Sequence, residues 1–321
     1  MNQRDTFLDF CKGTAITLVV LGHVLLKSIQ VKNGLFGFII LFHMPFFFIL
    51  SGYLAWRVPH FDILFFLKKA RTLLLPLLTV GMLFTLLNDN YAAYVFNEFH
   101  NGYWFLWSLF CIWCLFAMAK SLVIYCHIRN VWIEVLVLLL PFFVIRMGQN
   151  WLPPIIQSSL SISFTGAFYR FFVLGYIIGK YSKINNWLQM WRINVSGTLS
   201  FIFLFAISFL VDLEHIIPFT ITQSILCLSF LCLLRTVYSC LSHSVSQRVE
   251  KYGRRSLDVY VFHYFVLLPL NLSIVKQLNA LVQSFIAIVV AIIVVEVTLL
   301  ISSPIEKNKY LCLIFLGKIK K

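Results

Sequence analysis

A basic residue and a histidine lie on the first apolar stretch of the chain, at Lys12 and His23. In a helix these positions are about three turns apart, roughly 16 Å of rise, and return to nearly the same face. Asp9 lies one turn before Lys12 on that side. A histidine this deep in an apolar helix usually has a task or a partner. The stripe therefore predicts a reaction path, and the alternative is that His23 only bonds a neighbouring helix.

A second apolar stretch carries another histidine near its middle. It reads F-H-M-P-F-F-F-I-L-S-G-Y and contains His43, Ser51 and Tyr53. A histidine here either lines the same path or bonds a backbone carbonyl that Pro45 frees. The three phenylalanines after Pro45 are expected to pack or to anchor the helix. The two stretches together predict a polar site between apolar helices.

The composition sets the class of protein. Of the 321 residues, 60% are hydrophobic and only 12% are charged, and 33 are phenylalanine. Soluble domains are nearer half apolar and a quarter charged. Apolar runs of about 20 residues divide almost the whole length, and they lack the short alternation of outer-membrane barrels. The chain is therefore predicted to be an all-α, polytopic membrane bundle forming a single domain over 1–321, with no appended soluble domain.

The formal charge of +14 is spread over short loops between the apolar runs, which argues against nucleic acid as a partner. Cys111 and Cys114 form a C-x-x-C within an apolar helix and are not expected to serve a redox or metal site. Neither a metal nor a bound cofactor is expected. The polar start followed by a long apolar run predicts a retained first span rather than a cleaved signal peptide.

The apolar runs predict about ten transmembrane helices, at 12–31, 34–56, 72–88, 104–125, 132–147, 163–181, 194–213, 216–241, 256–272 and 278–303. The seventh and eighth are joined by a short turn with Asp212 and Glu214. With both termini in the cytoplasm, most Lys and Arg residues fall on the inner side, as the positive-inside rule requires. The exceptions are Lys27, Lys32, Arg146, Arg170 and Lys276.

Ionisable side chains inside the predicted spans normally face the bundle interior, because a central charge costs about 3 kcal/mol on insertion scales. His263 enters the ninth span about 11 Å from its inner end. Arg170 lies in the sixth span and Glu296 in the tenth. The alternatives are that Arg170 reaches outward to the interface and that Glu296 only pairs with a neighbouring cation.

At these residues the chain resembles the acyltransferase 3 family of multi-pass membrane acyltransferases. Within that family it resembles the O-acetyltransferases of bacterial surface polysaccharides, including those labelled fucose 4-O-acetylase. The matching pieces occur in the family's order: D-F-C-K-G-T-A-I-T-L-V-V-L-G-H, F-H-M-P-F-F-F-I-L-S-G-Y, K-K-A-R-T-L-L-L-P, Y-W-F-L-W, Y-R-F-F-V-L-G-Y-I-I-G-K and Y-G-R-R-S-L-D-V-Y-V-F-H.

A motif of the family consists of a basic residue, ten intervening residues and a histidine. In this chain the motif falls on Lys12 and His23. The family commonly has arginine at the first place, so Lys12 keeps the charge but loses the fork that grips an anion bidentately. The resemblance implies that His43, Arg71 and the segment with Ser256, Tyr260 and His263 line the site. It also implies a location in the bacterial cytoplasmic membrane.

The resemblance implies transfer of an acetyl group from cytoplasmic acetyl-CoA to a hydroxyl of a surface or lipid-linked glycan. A sugar hydroxyl is a weak nucleophile, so His23 is the expected general base, with an acyl-histidine relay as the variant. Asp9 is expected to organise Lys12. Cations expected to meet the coenzyme A phosphates, or else to be solvated loop residues, are Lys12, Lys68, Lys69, Arg71, Arg254 and Arg255.

Trp104 at the outer end of the fourth span could stack on a sugar ring or anchor the helix in the interface. The competing class is a transporter or flippase of a lipid-linked glycan, which would also need many spans and intramembrane charges. No two-half repeat typical of many transporters is evident.

Overall fold

The computed structural model describes residues 5–58, 61–209 and 219–319, and these residues form helices and connecting turns without a β-strand. The first eight helices are α1 Thr6–Ile29, α2 Gly34–Ala55, α3 Ile63–Asn88, α4 Tyr91–Phe96, α5 Trp104–Tyr125, α6 Val131–Trp151, α7 Pro154–Ser159 and α8 Ile162–Lys180. The others are α9 Ser182–Gln189, α10 Trp191–Ile207, α11 Phe219–Cys240, α12 His243–Arg254, α13 Ser256–Leu267, α14 Ala280–Lys307 and α15 Lys309–Leu316.

Eight of the described helices are long and apolar enough to cross a membrane: α1, α2, α3, α5, α6, α8, α11 and α14. The pair α9 and α10 is apolar enough together but bends by 71° at the break. This pattern confirms a polytopic helical membrane protein. The count of ten and the cytoplasmic termini stay predictions. The turn with Asp212 and Glu214 lies outside the described residues.

The predicted ninth span is shorter in the structure than the sequence suggested. Its helix, α13, covers only Ser256–Leu267, 12 residues, whereas about 20 are needed to cross the hydrocarbon core. The helix ends just before Pro269, whose nitrogen carries no hydrogen and cannot donate the next hydrogen bond of the helix. The chain then continues as a turn and the 3-10 helix Ser273–Gln277.

The described chain divides into two compact units. The first unit consists of Met1–Leu50 and Tyr181–Ser302, and the second consists of Ser51–Lys180 and Ser303–Lys321. The first unit contains α1, most of α2, α9 to α13 and most of α14. The prediction of one domain over 1–321 stays a prediction.

In the first unit α1 and α12 touch backbone to backbone. A Cβ atom on Gly253 would lie 1.7 Å from the carbonyl oxygen of Asp9, and one on Gly13 would lie 2.0 Å from that of Val249. Only glycine allows two helices to approach this closely. The glycines next to Lys12 and Arg254 therefore form the crossing point of these helices.

Substituting Gly253 with alanine is expected to force α1 and α12 apart. Overpacking of this kind costs about 1–3 kcal/mol, so the thermal midpoint of the detergent-solubilised protein should fall. Gly37→Ala is the matched control, because Gly37 lies in α2 of the same unit with nothing within 4 Å of its added Cβ. That control should be neutral or slightly stabilising, since alanine is the better helix former. Equal midpoints for both variants would contradict this account of the crossing.

The second unit has its own close approach and a buried charge cluster. A Cβ atom on Gly52 would lie 1.8 Å from the carbonyl oxygen of Phe172, which fixes the end of α2 against α8. Glu134 of α6 is only 3% exposed. It accepts from Lys120 of α5 at 3.0 Å and also bonds Lys180 of α8. This cluster joins three helices through one carboxylate.

Candidate active site

The helix that carries Lys12 and His23 changes its winding immediately after the histidine. The Asp5 side chain accepts from the Leu8 amide at 3.0 Å and so caps the start of α1. The helix is α-helical through His23 and π-helical over Val24–Ile29. Single π turns occur frequently at functional sites. The wider turn follows directly on the histidine that the sequence singled out.

Asp9 and Lys12 form an ion pair one helical turn apart. Lys12 Nζ lies 3.9 Å from Asp9 Oδ1, and the side chains are 23% and 5% exposed, respectively. A buried carboxylate beside a partly exposed ammonium holds the cation at the helix surface. The ion pair is compatible with the expectation that Asp9 organises Lys12, which stays a prediction.

The His23 imidazole has a specific partner. Its Nε2 atom lies 3.0 Å from the Tyr264 hydroxyl of α13, and the two rings are 4.9 Å apart. The His23 side chain is partly exposed, whereas Tyr264 is 1% exposed. The hydroxyl therefore fixes the orientation of the imidazole from inside the unit while part of the ring stays accessible.

A second imidazole lies beside the first. The His263 ring is 5.3 Å from the His23 ring, centre to centre. His263 Nδ1 lies 3.0 Å from the Val259 carbonyl oxygen and 2.8 Å from that of Tyr260. Because carbonyls only accept, Nδ1 carries a proton. The other ring nitrogen, Nε2, is therefore an acceptor. It is buried and makes no hydrogen bond within the part of the chain that the structure describes.

His43 also belongs to the first unit. Its Nδ1 atom donates to the Ile39 carbonyl at 2.8 Å, one turn earlier in α2. One of its two ring nitrogens is thus used within its own helix, and a role of His43 in lining the His23 site stays a prediction.

The last residue of α12, Arg254, and the residue that follows it, Arg255, have different surroundings. Arg255 donates from Nε to the fully buried Asp258 at 2.9 Å and from Nη2 to the Ser302 hydroxyl at 3.0 Å. Arg254 Nη1 lies 3.5 Å from Glu250 and its side chain is 38% exposed. Arg255 therefore ties α13 to α14, and Arg254 is the more accessible cation for an anionic donor.

Glu296 of α14 has cationic and phenolic partners on α12. Arg248 Nε donates to its Oε1 atom at 2.6 Å, and the Tyr252 hydroxyl donates to the same oxygen. Burial raises the pKa of Tyr252 to about 12, and the hydrogen bond to Glu296 acts in the same direction. This geometry matches the pairing alternative for Glu296.

The donor-site residues predicted on α3 lie in the second unit. Lys69 Nζ lies 3.7 Å from the centre of the Trp113 ring, a cation–π contact. Arg71 Nε donates to the Gly317 carbonyl at 3.0 Å, at the end of α15. Both cations thus have protein partners, and their contact with a donor stays a prediction.

Aromatic partners surround the other predicted wall residues of the second unit. The Trp104 ring stacks on Phe168 at 5.4 Å and lies 4.3 Å from Phe164. The Arg170 guanidinium lies 4.8 Å from the Phe171 ring. Packing accounts for these contacts, so an acceptor role for Trp104 or Arg170 stays a prediction.

The remaining predicted wall residues are divided between the units. Ser51 and Tyr53 lie at the end of α2 in the second unit, where Arg57 stands 5.6 Å from the Tyr53 ring. Ser256 begins α13 in the first unit. Tyr260 lies one turn before Tyr264, with its ring 6.1 Å from that of His263.

Sequence reasoning missed Tyr264 and did not give Lys27 a role. Tyr264 follows directly after the predicted His263, but no spacing rule connects it to His23, 241 residues earlier. Lys27 Nζ lies 5.2 Å from the centre of the Tyr264 ring. The only signal for Lys27 in the sequence was its departure from the positive-inside pattern.

Tyr264→Phe is expected to lower turnover by up to about tenfold, because a hydrogen bond of this type contributes about 1 kcal/mol. The expected role of Tyr264 is to position His23, so the pH profile of turnover should shift while the affinity for the donor stays similar. Tyr310→Phe, at a side chain 75% exposed, is the control. An unchanged rate and pH profile in Tyr264→Phe would contradict the positioning role.

The helices and the buried polar side chains define a multi-pass, all-helical membrane protein. The model of a protein family described as an acyltransferase domain matches residues 5–301. The chain therefore belongs to the acyltransferase 3 family, as the sequence motifs indicated. No solved structure matches the chain significantly.

Parts of the chain are similar in sequence to two curated relatives. It is 30% identical over 148 residues to nodulation protein NolL of Mesorhizobium japonicum, covering 37% of this chain and 37% of the relative. It is 48% identical over 61 residues to nodulation protein NolL of Sinorhizobium fredii, covering 17% of this chain and 16% of the relative. The matched part is well under two thirds of either relative's length.

Proposed function

We propose that this protein is a membrane O-acyltransferase that moves an acetyl group from cytoplasmic acetyl-CoA to a hydroxyl group of a surface or lipid-linked glycan. The observation that supports this most directly is the His23 imidazole, which lies on the same helix as Lys12. Its Nε2 atom is held 3.0 Å from the Tyr264 hydroxyl of α13. It lies within a chain that the acyltransferase model covers from residue 5 to 301.

His23 has the chemistry that the transfer needs. The glycan hydroxyl gives its proton to the imidazole while its oxygen attacks the thioester carbonyl carbon. The carbon–sulfur bond then breaks, and the coenzyme A thiolate takes up the proton from the imidazolium. Tyr264 occupies Nε2 in the resting state and so holds the ring. In the alternative acyl-histidine mechanism, the imidazole attacks the thioester carbonyl carbon and expels coenzyme A. The glycan hydroxyl then attacks the acetyl group and displaces the imidazole.

Lys12 is the cation best placed to meet the donor. It lies next to Gly13, and Arg254 lies next to Gly253, so the two cations flank the point where α1 and α12 cross. Asp9 holds Lys12 at 3.9 Å. Coenzyme A is a polyanion, and such a pair of cations suits its phosphates. Arg255 is proposed as a structural ion pair, and a donor contact of Lys69 and Arg71, which lie in the second unit, stays a prediction.

We place the protein in the bacterial cytoplasmic membrane, with the donor reached from the inner side. His43, His263 and Tyr260 are proposed to line the acceptor side of the His23 site. A role of Trp104 and Arg170 in acceptor binding stays a prediction, because their contacts in the structure are aromatic packing.

The test uses the purified full-length protein with acetyl-CoA labelled in the acetyl group. Release of coenzyme A is measured with a thiol reagent. The acceptor is glycan extracted from membranes of cells that lack the gene, and its incorporation of the label is measured. We expect thioester cleavage that depends on the protein and label in the glycan fraction. Wild-type protein that binds glycan lipids but never cleaves acetyl-CoA would overturn the proposal in favour of transport.

A further inference from the structure

The hydrogen of the His263 imidazole is fixed on one of its two ring nitrogens. Nδ1 donates to the backbone carbonyl oxygens of Val259 at 3.0 Å and Tyr260 at 2.8 Å, so the lone pair lies on Nε2. The side chain is 0% exposed, and Nε2 has no hydrogen-bond partner within the described ranges. A buried acceptor in this state costs free energy, and in a reaction centre it is a candidate for a catalytic role.

The His23 imidazole lies at a distance from His263 that suits a hydrogen-bonded pair. The two ring centres are 5.3 Å apart, and the ring planes are inclined by 32°. Imidazoles joined by an N–H···N bond have their nitrogens about 3 Å apart and hence their ring centres about 5 Å apart. In the structure Nε2 of His23 is bonded instead to Tyr264, the residue next to His263. A rotation of the His23 ring therefore exchanges one partner for the other.

The positive charge that His23 gains during the proposed transfer has no carboxylate beside it. In the part of the chain that the structure describes, neither His23 nor His263 forms an ion pair with an acid. Asp9 lies about 21 Å away along α1. The other titratable side chains near the two rings are Tyr260, 6.1 Å from the His263 ring, and Lys27, 5.2 Å from the Tyr264 ring.

His263 is the neighbour that can take up part of this charge. Lys27 is itself a cation and offers no acceptor. The two carbonyl oxygens that accept from Nδ1 of His263 favour a positive charge on its ring, because a hydrogen bond from an ionised donor is stronger than one from a neutral donor. They also make Nε2 a better acceptor, since hydrogen bonds in a chain polarise one another.

We propose that His263 is a positioning residue that shares a proton with His23 during acetyl transfer, an inference that rests on the proposed function. Nδ1 of His23 takes the proton of the glycan hydroxyl as the hydroxyl oxygen attacks the thioester carbonyl carbon. The hydrogen on Nε2 of His23 is then shared with Nε2 of His263, which spreads the charge over two rings. When the carbon–sulfur bond breaks, the coenzyme A thiolate takes the proton from Nδ1, and the shared hydrogen returns to His23.

The first test is magnetic resonance on the wild-type protein in phosphatidylcholine nanodiscs, with its histidines labelled with the heavy nitrogen isotope. Once acidification adds a proton to the pair, coupling should appear between the ring nitrogens of His23 and His263 across the shared hydrogen. The signals of both rings should change in one common step. Two separate steps without coupling would overturn the proposal, whatever the activity of the preparation.

The second test compares acetyl transfer by the wild type and by His263→Gln. The glutamine amide oxygen accepts a hydrogen bond but does not take a proton. Turnover should fall about 10–100-fold, the change expected for one lost hydrogen bond to a charged group, while the KM for acetyl-CoA stays the same. Rates in mixtures of light and heavy water should show several protons in motion for the wild type and a single one for the variant. The same isotope dependence in both would contradict proton sharing.

The third test restores the missing nitrogen from solution. His263→Ala leaves a cavity that a small ring can enter, as apolar cavities in proteins do with benzene. Added imidazole should raise the turnover of this variant at least about tenfold. Pyrrole has the same ring and one N–H group but no second nitrogen, so it should not. Equal rescue by both compounds would show that His263 only fills space.

The matched control is Val261→Ala, at a side chain that is also 0% exposed. Val261 lies two residues before His263, about 200° around α13, so neither compound should raise its turnover. Thermal midpoints establish that the variants are folded, and the resonance measurement on the wild type decides if they are not. Acetyl-CoA cleavage by the wild type without coupling removes only this inference, whereas coupling without cleavage removes only the proposed function.

Discussion

His23→Ala is expected to lower the rate of acetyl transfer by about 10²–10⁴-fold, the usual contribution of a general base. The loss should appear in turnover rather than in donor affinity, because the proposed phosphate contacts lie at Lys12 and Arg254. If the acyl-histidine relay operates, the wild type but not the variant should also form a labelled covalent adduct with acetyl-CoA in the absence of glycan.

The control for this prediction is His243→Ala. His243 begins α12 and is exposed, and its ring bonds the side chain of its helix neighbour Gln247, so its replacement should leave transfer unchanged. The measurement is coenzyme A release and label in the glycan at matched protein amounts, with the thermal midpoint confirming that both variants are folded. A His23→Ala protein with full glycan acetylation would remove the catalytic assignment.

Glu134→Gln is expected to destabilise the second unit by about 3–5 kcal/mol, the usual result of removing one partner of a buried ion pair. The amide would leave Lys120 and Lys180 without their shared countercharge, at side chains that are 16% and 30% exposed. The Tyr176 hydroxyl, which lies 3.3 Å from Glu134 Oε1, would remain as a weaker, uncharged partner of the new amide.

The matched control is Asp89→Asn in the same unit. Asp89 is exposed and has a positive φ of 48° that asparagine tolerates well, so its midpoint should change little. Thermal unfolding in detergent measures both variants. If the two variants had equal thermal midpoints, Lys120 and Lys180 would be solvated by water once the carboxylate is lost. The cluster would then not stabilise the unit.

The sequence by itself determined the class and the family. Apolar runs of about 20 residues leave a membrane bundle as the only way to satisfy the backbone. The spacing from Lys12 to His23 and the ordered motifs led to the acyltransferase family, which the match over residues 5–301 confirms. These properties are local along the chain, because they depend on helical periodicity and on runs of one residue type.

Only the tertiary structure decided what touches His23. The Tyr264 hydroxyl and the His263 ring come from a helix 241 residues away, and no local pattern encodes such a contact. The π-helical turn after His23 and the cluster of Lys120, Glu134 and Lys180 likewise depend on packing between distant helices. Periodicity fixes which residues share a face of one helix, whereas close packing of many side chains selects which faces meet.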